Sequence, residues 1–199
     1  RIIDDVCKAL QDGRSPIILT NLTSHVEILA TMLTSKCKNV ITLIGSESVK
    51  EKRLKMERLQ NIPRTELLAI VATGKYVGEG FDYPRLDTLF LALPVSWKGI
   101  VAQYAGRLHR EYPGKKDVII YDYIDIHQPL CNRMYQRRLN GYAAIGYQLL
   151  EKEVLVTGHH VQSIFSGNNY LFPLIEDITQ ARHSVFISAT KNGLKSAPN

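Results

Sequence analysis

The chain is short of several things a protein of its size can use. Its 199 residues hold only three cysteines, Cys7, Cys37 and Cys131. So few, spread so widely, exclude a disulfide scaffold and a zinc cluster; they fit a reducing, cytoplasmic setting and read as small, mostly buried apolar residues. No stretch approaches the ~18–20 apolar residues of a membrane span, and nothing has the charge-then-apolar layout of a signal peptide, so no membrane partner is expected. Phosphate-cradling loops are missing too. Gly74-Lys75 is followed by Tyr76 rather than Ser or Thr, and Ala69 stands where the first glycine of a P-loop belongs. Gly78-Glu79-Gly80 begins like a dinucleotide fingerprint, but Tyr83 occupies the third glycine position, and Glu79 would turn a negative charge toward a pyrophosphate. No metal site is expected: His159-His160 has no Cys or acidic cluster beside it and reads as a loop pair without a ligand role.

What is present suits a folded α/β protein. Hydrophobic residues make up 45% and charged residues 22%, which argues against wholesale disorder. Lys and Arg exceed Asp and Glu by 25 − 19, a net charge of +6 that suits a polyanionic partner without proving one. The chain opens at Arg1 and closes on a polar tail, KNGLKSAPN, and reads as a piece of something longer.

Helical and strand periods alternate along the first 126 residues. Ile2, Ile3, Val6 and Leu10 mark a helix stopped by Gly13. Pro16 to Leu19 reads as a strand with a polar exit at Thr20-Asn21. The next helix is expected to be capped at Thr23 or Ser24, with Glu27 completing a capping box after Ser24. Strands follow at Val40–Ile44, Leu67–Ala72, Leu86–Leu91 and Val118–Tyr123. Between them lie a charged helix, Val49–Gln60, capped by Ser48 and turning Leu54 and Leu59 inward, and a helix from Lys98 to Arg110 opened by Ser96. Strands that are nearly continuous apolar runs are covered on both faces, so 1–126 is expected to form a parallel sheet of about five strands with helices on either side. Pro129 to Leu150 reads as one or two docked tail helices. Residues 151–170 read as irregular, and 171–190 as a helix (Ile175–Ala181) and a strand (Val185–Ser188) too small to fold alone. The expected organisation is a domain over 1–150, then a linker and the truncated start of a further domain over 151–199.

Chemistry-bearing residues gather at the carboxyl ends of predicted strands, where open α/β sheets bind ligands. One group is Thr20-Asn21; a second is TGKYVGEGFDYP, residues 73–84. The sharpest signal is QYAGRLHR, residues 103–110. Arg107 and Arg110 are three apart on a predicted helix and Gln103 precedes Arg107 by four, so two guanidinium groups could embrace a phosphate there. The bland alternative is a basic helix facing water. Likewise Asp82 could merely cap a turn before Pro84, Lys75 could be solvated, and Thr20 could bond locally.

Residues 1–150 resemble the second RecA-like domain of superfamily 2 helicases and translocases. IVATGKYVGEGFDYPRLDTLFLALPV is similar to the fifth motif of that family and its following strand. QYAGRLHR is similar to its sixth, Gln-x-x-Gly-Arg-x-x-Arg, and PIILTNLTSHVEILATML resembles the region of the fourth. The wording resembles the branch of bacterial restriction and repair helicases and their XPB-like relatives more than the RNA-helicase His-Arg-x-Gly-Arg, which favours DNA over RNA. The resemblance implies ATP and Mg²⁺ in the full-length protein, with none bound to this chain alone, and a first RecA-like domain in the same polypeptide as partner. It implies Arg110 as arginine finger, Arg107 as the companion phosphate contact and Gln103 on the same surface. Gly80 and Asp82 would lie near the nucleotide ribose, and Thr20, Asn21, Thr73, Gly74 and Lys75 along a nucleic-acid track. Residues 166–189 also resemble, over a short stretch, the opening of a phospholipase-D-like domain, although neither His159 nor His183 begins a His-x-Lys-x4-Asp motif; a βα segment capping the main domain is the alternative. Against the motor-half reading stand a non-catalytic α/β binding module and a nucleotide-using small-molecule enzyme.

Overall fold

The computed structural model describes residues 1–78, 80–93, 95, 100–124, 128–154 and 183–190. Seven strands form one sheet in the order β2-β3-β1-β4-β5-β7-β6. The first five are β1 (Pro16–Thr20), β2 (Asn39–Leu43), β3 (Leu68–Thr73), β4 (Thr88–Leu91) and β5 (Asp117–Tyr123), and all of them pair in parallel. This is the parallel sheet expected from the apolar runs, in the RecA-like form that the family resemblance implies.

The strand period of two decides what covers each face. Ile18, Ala69, Val71 and Phe90 pack with Ile2, Val6 and Leu10 of α1 (Ile2–Gln11) and with Val26, Leu29 and Leu33 of α2 (Thr23–Thr34). Their neighbours Ile17, Leu19, Ile70, Ala72, Leu89 and Leu91 point the other way. They meet Leu59 of α3 (Val49–Gln60), Tyr76 and Val77 of α4 (Gly74–Gly78), Val101, Tyr104 and Leu108 of α5 (Ile100–Leu108), and Tyr135 and Tyr142 of α6 (Pro129–Ala144). Each fully buried Leu or Ile removes enough apolar surface to contribute about 1.5–3 kcal/mol, so this two-sided core is what holds the sheet edge in place.

Local signals behave unevenly. Gly13 has φ +75° and ends α1 as expected. Ser48 caps α3 in a capping box with Glu51. By contrast, α2 begins after Leu22 with no side-chain cap, so the Ser24–Glu27 box does not form. Leu54 is exposed while Leu59 is buried, because the helix turns a single apolar edge inward. Of the cysteines only Cys37 is buried; Cys7 and Cys131 are half-buried thiols.

The tail departs most from expectation. Gly146, at φ +86°, ends the helical segment, and Gln148–Val154 is a strand, β6, where helix and then irregular chain were expected. His183–Thr190 forms β7, longer than the expected Val185–Ser188. It pairs antiparallel with both β5 and β6, so this part of the tail extends the main sheet. The expected helix Ile175–Ala181, the His159-His160 pair, Ser96 and most of the phospholipase-D-like stretch lie outside the described residues.

Candidate functional site

The five parallel strands end on one edge, and Thr20 pairs with Thr73 there. Both threonines are buried, at 1% and 5% exposure. Thr20 Oγ1 lies 3.1 Å from His25 Nδ1, and Thr73 Oγ1 accepts a hydrogen bond from the Gly45 amide at 3.0 Å. Their hydroxyls therefore tie the edge loops together. What faces outward beside them is Asn21 and Lys75, both exposed. Gly74 is buried between them and the helix behind. Tyr104 Oη of α5 donates to its carbonyl at 2.6 Å, and a Cβ on Gly74 would meet that oxygen at 2.9 Å. Glycine is thus required at position 74 for the close approach of α5 to the end of β3.

The same helix leads to the arginines. It ends at Leu108, earlier than the expected Arg110; His109 and Arg110 follow in tight turns bonded to the carbonyls of Gly106 and Arg107. The two arginines have different surroundings. Arg107 is half-buried and lines an apolar pocket with Leu19, Phe81, Tyr83, Tyr104 and Leu108, where its Nη1 is enclosed without a hydrogen-bond partner. Arg110 is 63% exposed and pairs with Asp82 at 3.2 Å. Gln103 and Gly106 are exposed on α5, and a Cβ on Gly106 would meet nothing. Gly80, at φ +106°, provides the backbone turn that sets Asp82 opposite Arg110. The exposed Asp82–Arg110 pair contributes about 0–1 kcal/mol, little enough for a phosphate to displace the carboxylate.

Lys115 holds this arrangement together, and sequence reasoning passed over it. Its Nζ donates to the carbonyls of Leu108 and Arg110, each at 2.8 Å, and to that of Pro84 at 2.5 Å. A cation at the last carbonyls of a helix satisfies acceptors the helix leaves open and offsets its dipole. Here it also fastens the Asp82 loop to the arginine turn. Beside it, burial first and the Lys115 charge second hold His109 below the ordinary histidine pKa, and the ring lies edge-on to Tyr147 at 5.3 Å.

A second unforeseen group anchors α6. Arg138 donates to both Asp122 oxygens, at 2.7 and 2.8 Å, and also to the Val95 carbonyl; Tyr142 Oη donates to Asp122 at 3.1 Å. Arg138 and Asp122 are 1% and 0% exposed. Burial drives the Asp122 carboxyl pKa up against the pull of Arg138. The signal for this pair lay in two features: an acid inside an apolar strand, YDY, and an arginine at helical spacing from Tyr135 and Tyr142.

Among the described residues no group of three or more His, Cys, Asp or Glu could hold a metal, and no helix is long and apolar enough to cross a membrane. The site is therefore two clusters joined by α5. Asn21, Gly74 and Lys75 lie beside its middle, where Tyr104 bonds Gly74; Asp82, Arg107 and Arg110 lie at its carboxyl end.

No family model matches the chain. It is 32% identical over 88 residues to the uncharacterized protein 108L of Invertebrate iridescent virus 3, covering 43% of this chain and 78% of that protein. It is 34% identical over 111 residues to a protein named "Putative helicase 161L" of Invertebrate iridescent virus 6, covering 55% of this chain; the match spans 21% of that longer protein. Among solved structures it is similar to T4 UvsW, with a TM-score of 0.45 and 23% identity over 56% of this chain and 22% of that one. That last likeness is too low to carry a functional argument.

Proposed function

The chain belongs to the same family as the uncharacterized protein 108L of Invertebrate iridescent virus 3, and we propose that it is the second RecA-like domain of a superfamily 2 helicase or translocase acting on nucleic acid, with DNA favoured over RNA. The observation that carries this reading is the half-built anion site. Arg110 stands half free beside Asp82, Arg107 lies behind it, and the chain has no P-loop of its own to hold a triphosphate.

Phosphoryl transfer relies mainly on positioning and on compensating charge. An arginine in the turn that follows a helix, its backbone fastened by Lys115, fits the part of a group that completes a site built on another domain. In that arrangement ATP with Mg²⁺ would be held by the first RecA-like domain of the same polypeptide, and the bound metal would supply charge neutralisation at the phosphates. This chain's residues supply one wall. Arg110 exchanges Asp82 for a phosphate oxygen, Arg107 turns its unpartnered Nη1 out of the apolar pocket, and Asp82 and the Gly80 turn are left beside the ribose. Gln103 lies one turn before Arg107, on the exposed side of α5.

The track lies beside the middle of the same helix. Asn21 and Lys75, with the Gly74 backbone, offer contacts to phosphates, while Thr20 and Thr73 set their positions. Tyr104, bonded to Gly74, gives a direct physical link from the arginine helix to the track. A domain so divided must close on its partner to turn over ATP, and closure carries the track and the arginines together, since both are attached to α5.

The purified 199-residue chain tests this directly. It is expected to show no ATP turnover, and to bind fluorescent single-stranded DNA with an affinity that falls as salt rises. Lys75→Ala and Asn21→Ala are expected to weaken binding, and a matched RNA to bind less tightly. Sustained turnover by the chain alone, or binding unchanged by these substitutions, contradicts the proposal.

A further inference from the structure

Helix α6 has a face that the site above does not use. Its sixteen residues, PLCNRMYQRRLNGYAA, include three arginines and no Asp or Glu. Arg138 is committed inward to Asp122. Arg133 and Arg137 are exposed and four residues apart, hence one turn apart on the same side. Asn132, Gln136 and Asn140 are exposed in a second row at the same spacing, one position behind the first. The two rows lie side by side over about 12 Å of helix, at 1.5 Å per residue.

A merely solvated helix usually mixes its charges, and α3 does so: Arg53 pairs with Glu57 at 2.8 Å, and Glu51 lies on the same helix. Among the described residues neither Arg133 nor Arg137 has a carboxylate within ion-pair distance. Guanidinium and carboxamide groups without an acid are the side chains that bond phosphates and base edges. The face is also held rigidly, because Arg138, next to Arg137, locks the helix to β5 and to the Val95 carbonyl.

Position supports the same partner. Asp122 lies one residue before the carboxyl end of β5, so α6 is anchored at the sheet edge that carries Asn21 and Gly74. From β3 through β1 and β4 to β5 is three strand spacings, about 14 Å at ~4.8 Å each. A nucleic-acid strand crossing that edge would pass from one group toward the other.

We propose that Asn132, Arg133, Gln136, Arg137 and Asn140 of α6 form a second contact surface for the nucleic-acid backbone. It continues the track of Asn21, Gly74 and Lys75 across the carboxyl edge of the sheet, and so rests on the nucleic-acid reading above. The arginines neutralise phosphates, and the carboxamides add bonds that carry no charge.

The test is the salt dependence of single-stranded DNA binding by the whole chain. Each neutralised phosphate contributes about 0.7 to the slope of log affinity against log salt, so Arg133→Ala with Arg137→Ala should flatten it by about 1.4. Asn132→Ala, Gln136→Ala and Asn140→Ala together should weaken binding and leave the slope as it was. Lys8→Ala with Lys36→Ala removes the same charge from exposed sites that precede β1 and β2, at the opposite edge of the sheet, and should change little. The inference fails if the arginine and lysine pairs change the slope equally, which would make the effect one of net charge. It also fails if polyglutamate of matched charge displaces DNA from wild type but not from the arginine variant, which would mark a surface for acidic protein. If Lys75→Ala weakens binding and the α6 variants do not, the inference is wrong and the motor-domain reading stands. A wild-type chain that binds no nucleic acid contradicts both.

Discussion

Removing Arg138 should be among the most damaging single changes to this fold. Its guanidinium meets both Asp122 oxygens in a forked pair, and both residues are almost wholly buried. Arg138→Ala leaves a carboxylate inside the protein with only the Tyr142 hydroxyl for company, and strands the Val95 carbonyl. Breaking a buried pair from one side costs about 3–5 kcal/mol, a large part of the ~5–15 kcal/mol that holds a typical domain together. Urea unfolding of the whole chain at pH 7, followed by circular dichroism, would read this as a lower midpoint. Replacing both partners, Arg138→Met with Asp122→Leu, leaves no isolated charge and should cost less than Arg138→Ala alone. pH adds a signature. Burial already raises the Asp122 pKa, and without Arg138 it should rise further. The penalty is then larger at higher pH and shrinks as acid protonates the carboxyl. A loss below about 1 kcal/mol for Arg138→Ala, or a double variant as unstable as the sum of the singles, would refute this account of how α6 is held.

Two further outcomes follow from the same structure. His25 and His109 are both held below the ordinary histidine pKa, by burial in the first case and by burial and then Lys115 in the second. The unfolded chain therefore takes up protons at ~6.5 while the native state does not, so stability should hold above that pH and decline below it. Urea midpoints at pH 7.5, 6.5 and 5.5 would show this; a flat or rising series as pH falls would contradict it, and His25→Asn with His109→Gln should flatten the decline. Gly74→Ala drives a methyl to 2.9 Å from Tyr104 Oη and should cost about 1–3 kcal/mol. Tyr104→Phe removes the obstructing oxygen, so it should cost less in the Gly74→Ala background than in wild type, and equal costs in thermal denaturation would rule the clash out.

Much of this architecture was legible in the chain because burial on both faces leaves a plain mark. The runs at 16–19, 68–72 and 89–91 are apolar throughout, and they became neighbouring parallel strands. Pairings between distant segments left no such mark. That His183–Thr190 would return antiparallel to β5, and that Gln148–Val154 would join it, depends on tertiary contacts. The Gly146 stop could have been read, since a glycine with positive φ commonly ends a helix; the apolar spacing of Ile145 and Leu149 carried the helical reading past it. At the site, sequence spacing put Gln103, Arg107 and Arg110 on one helix. It could not show that the helix ends at Leu108, or that Arg107 lines an apolar pocket while Arg110 pairs with Asp82. Nor could it show that Thr20 and Thr73 spend their hydroxyls inside the protein. Lys115 was invisible for a related reason: its partners are three backbone carbonyls, which leave no trace in residue identity.

The central claim is that Arg110 completes a phosphoryl-transfer site held by another domain. The measurement that tests it most directly is steady-state ATP hydrolysis by the complete polypeptide, with saturating nucleic acid, comparing wild type, Arg110→Ala and Arg110→Lys. The account predicts a fall of about 10³-fold or more for Arg110→Ala, with poor rescue by Lys, which keeps the charge but loses the planar fork. Nucleic-acid binding without nucleotide should be unchanged, because the track contacts are assigned to Asn21, Gly74 and Lys75, whereas Arg110 pairs with Asp82. Turnover near the wild-type rate in Arg110→Ala would contradict the claim.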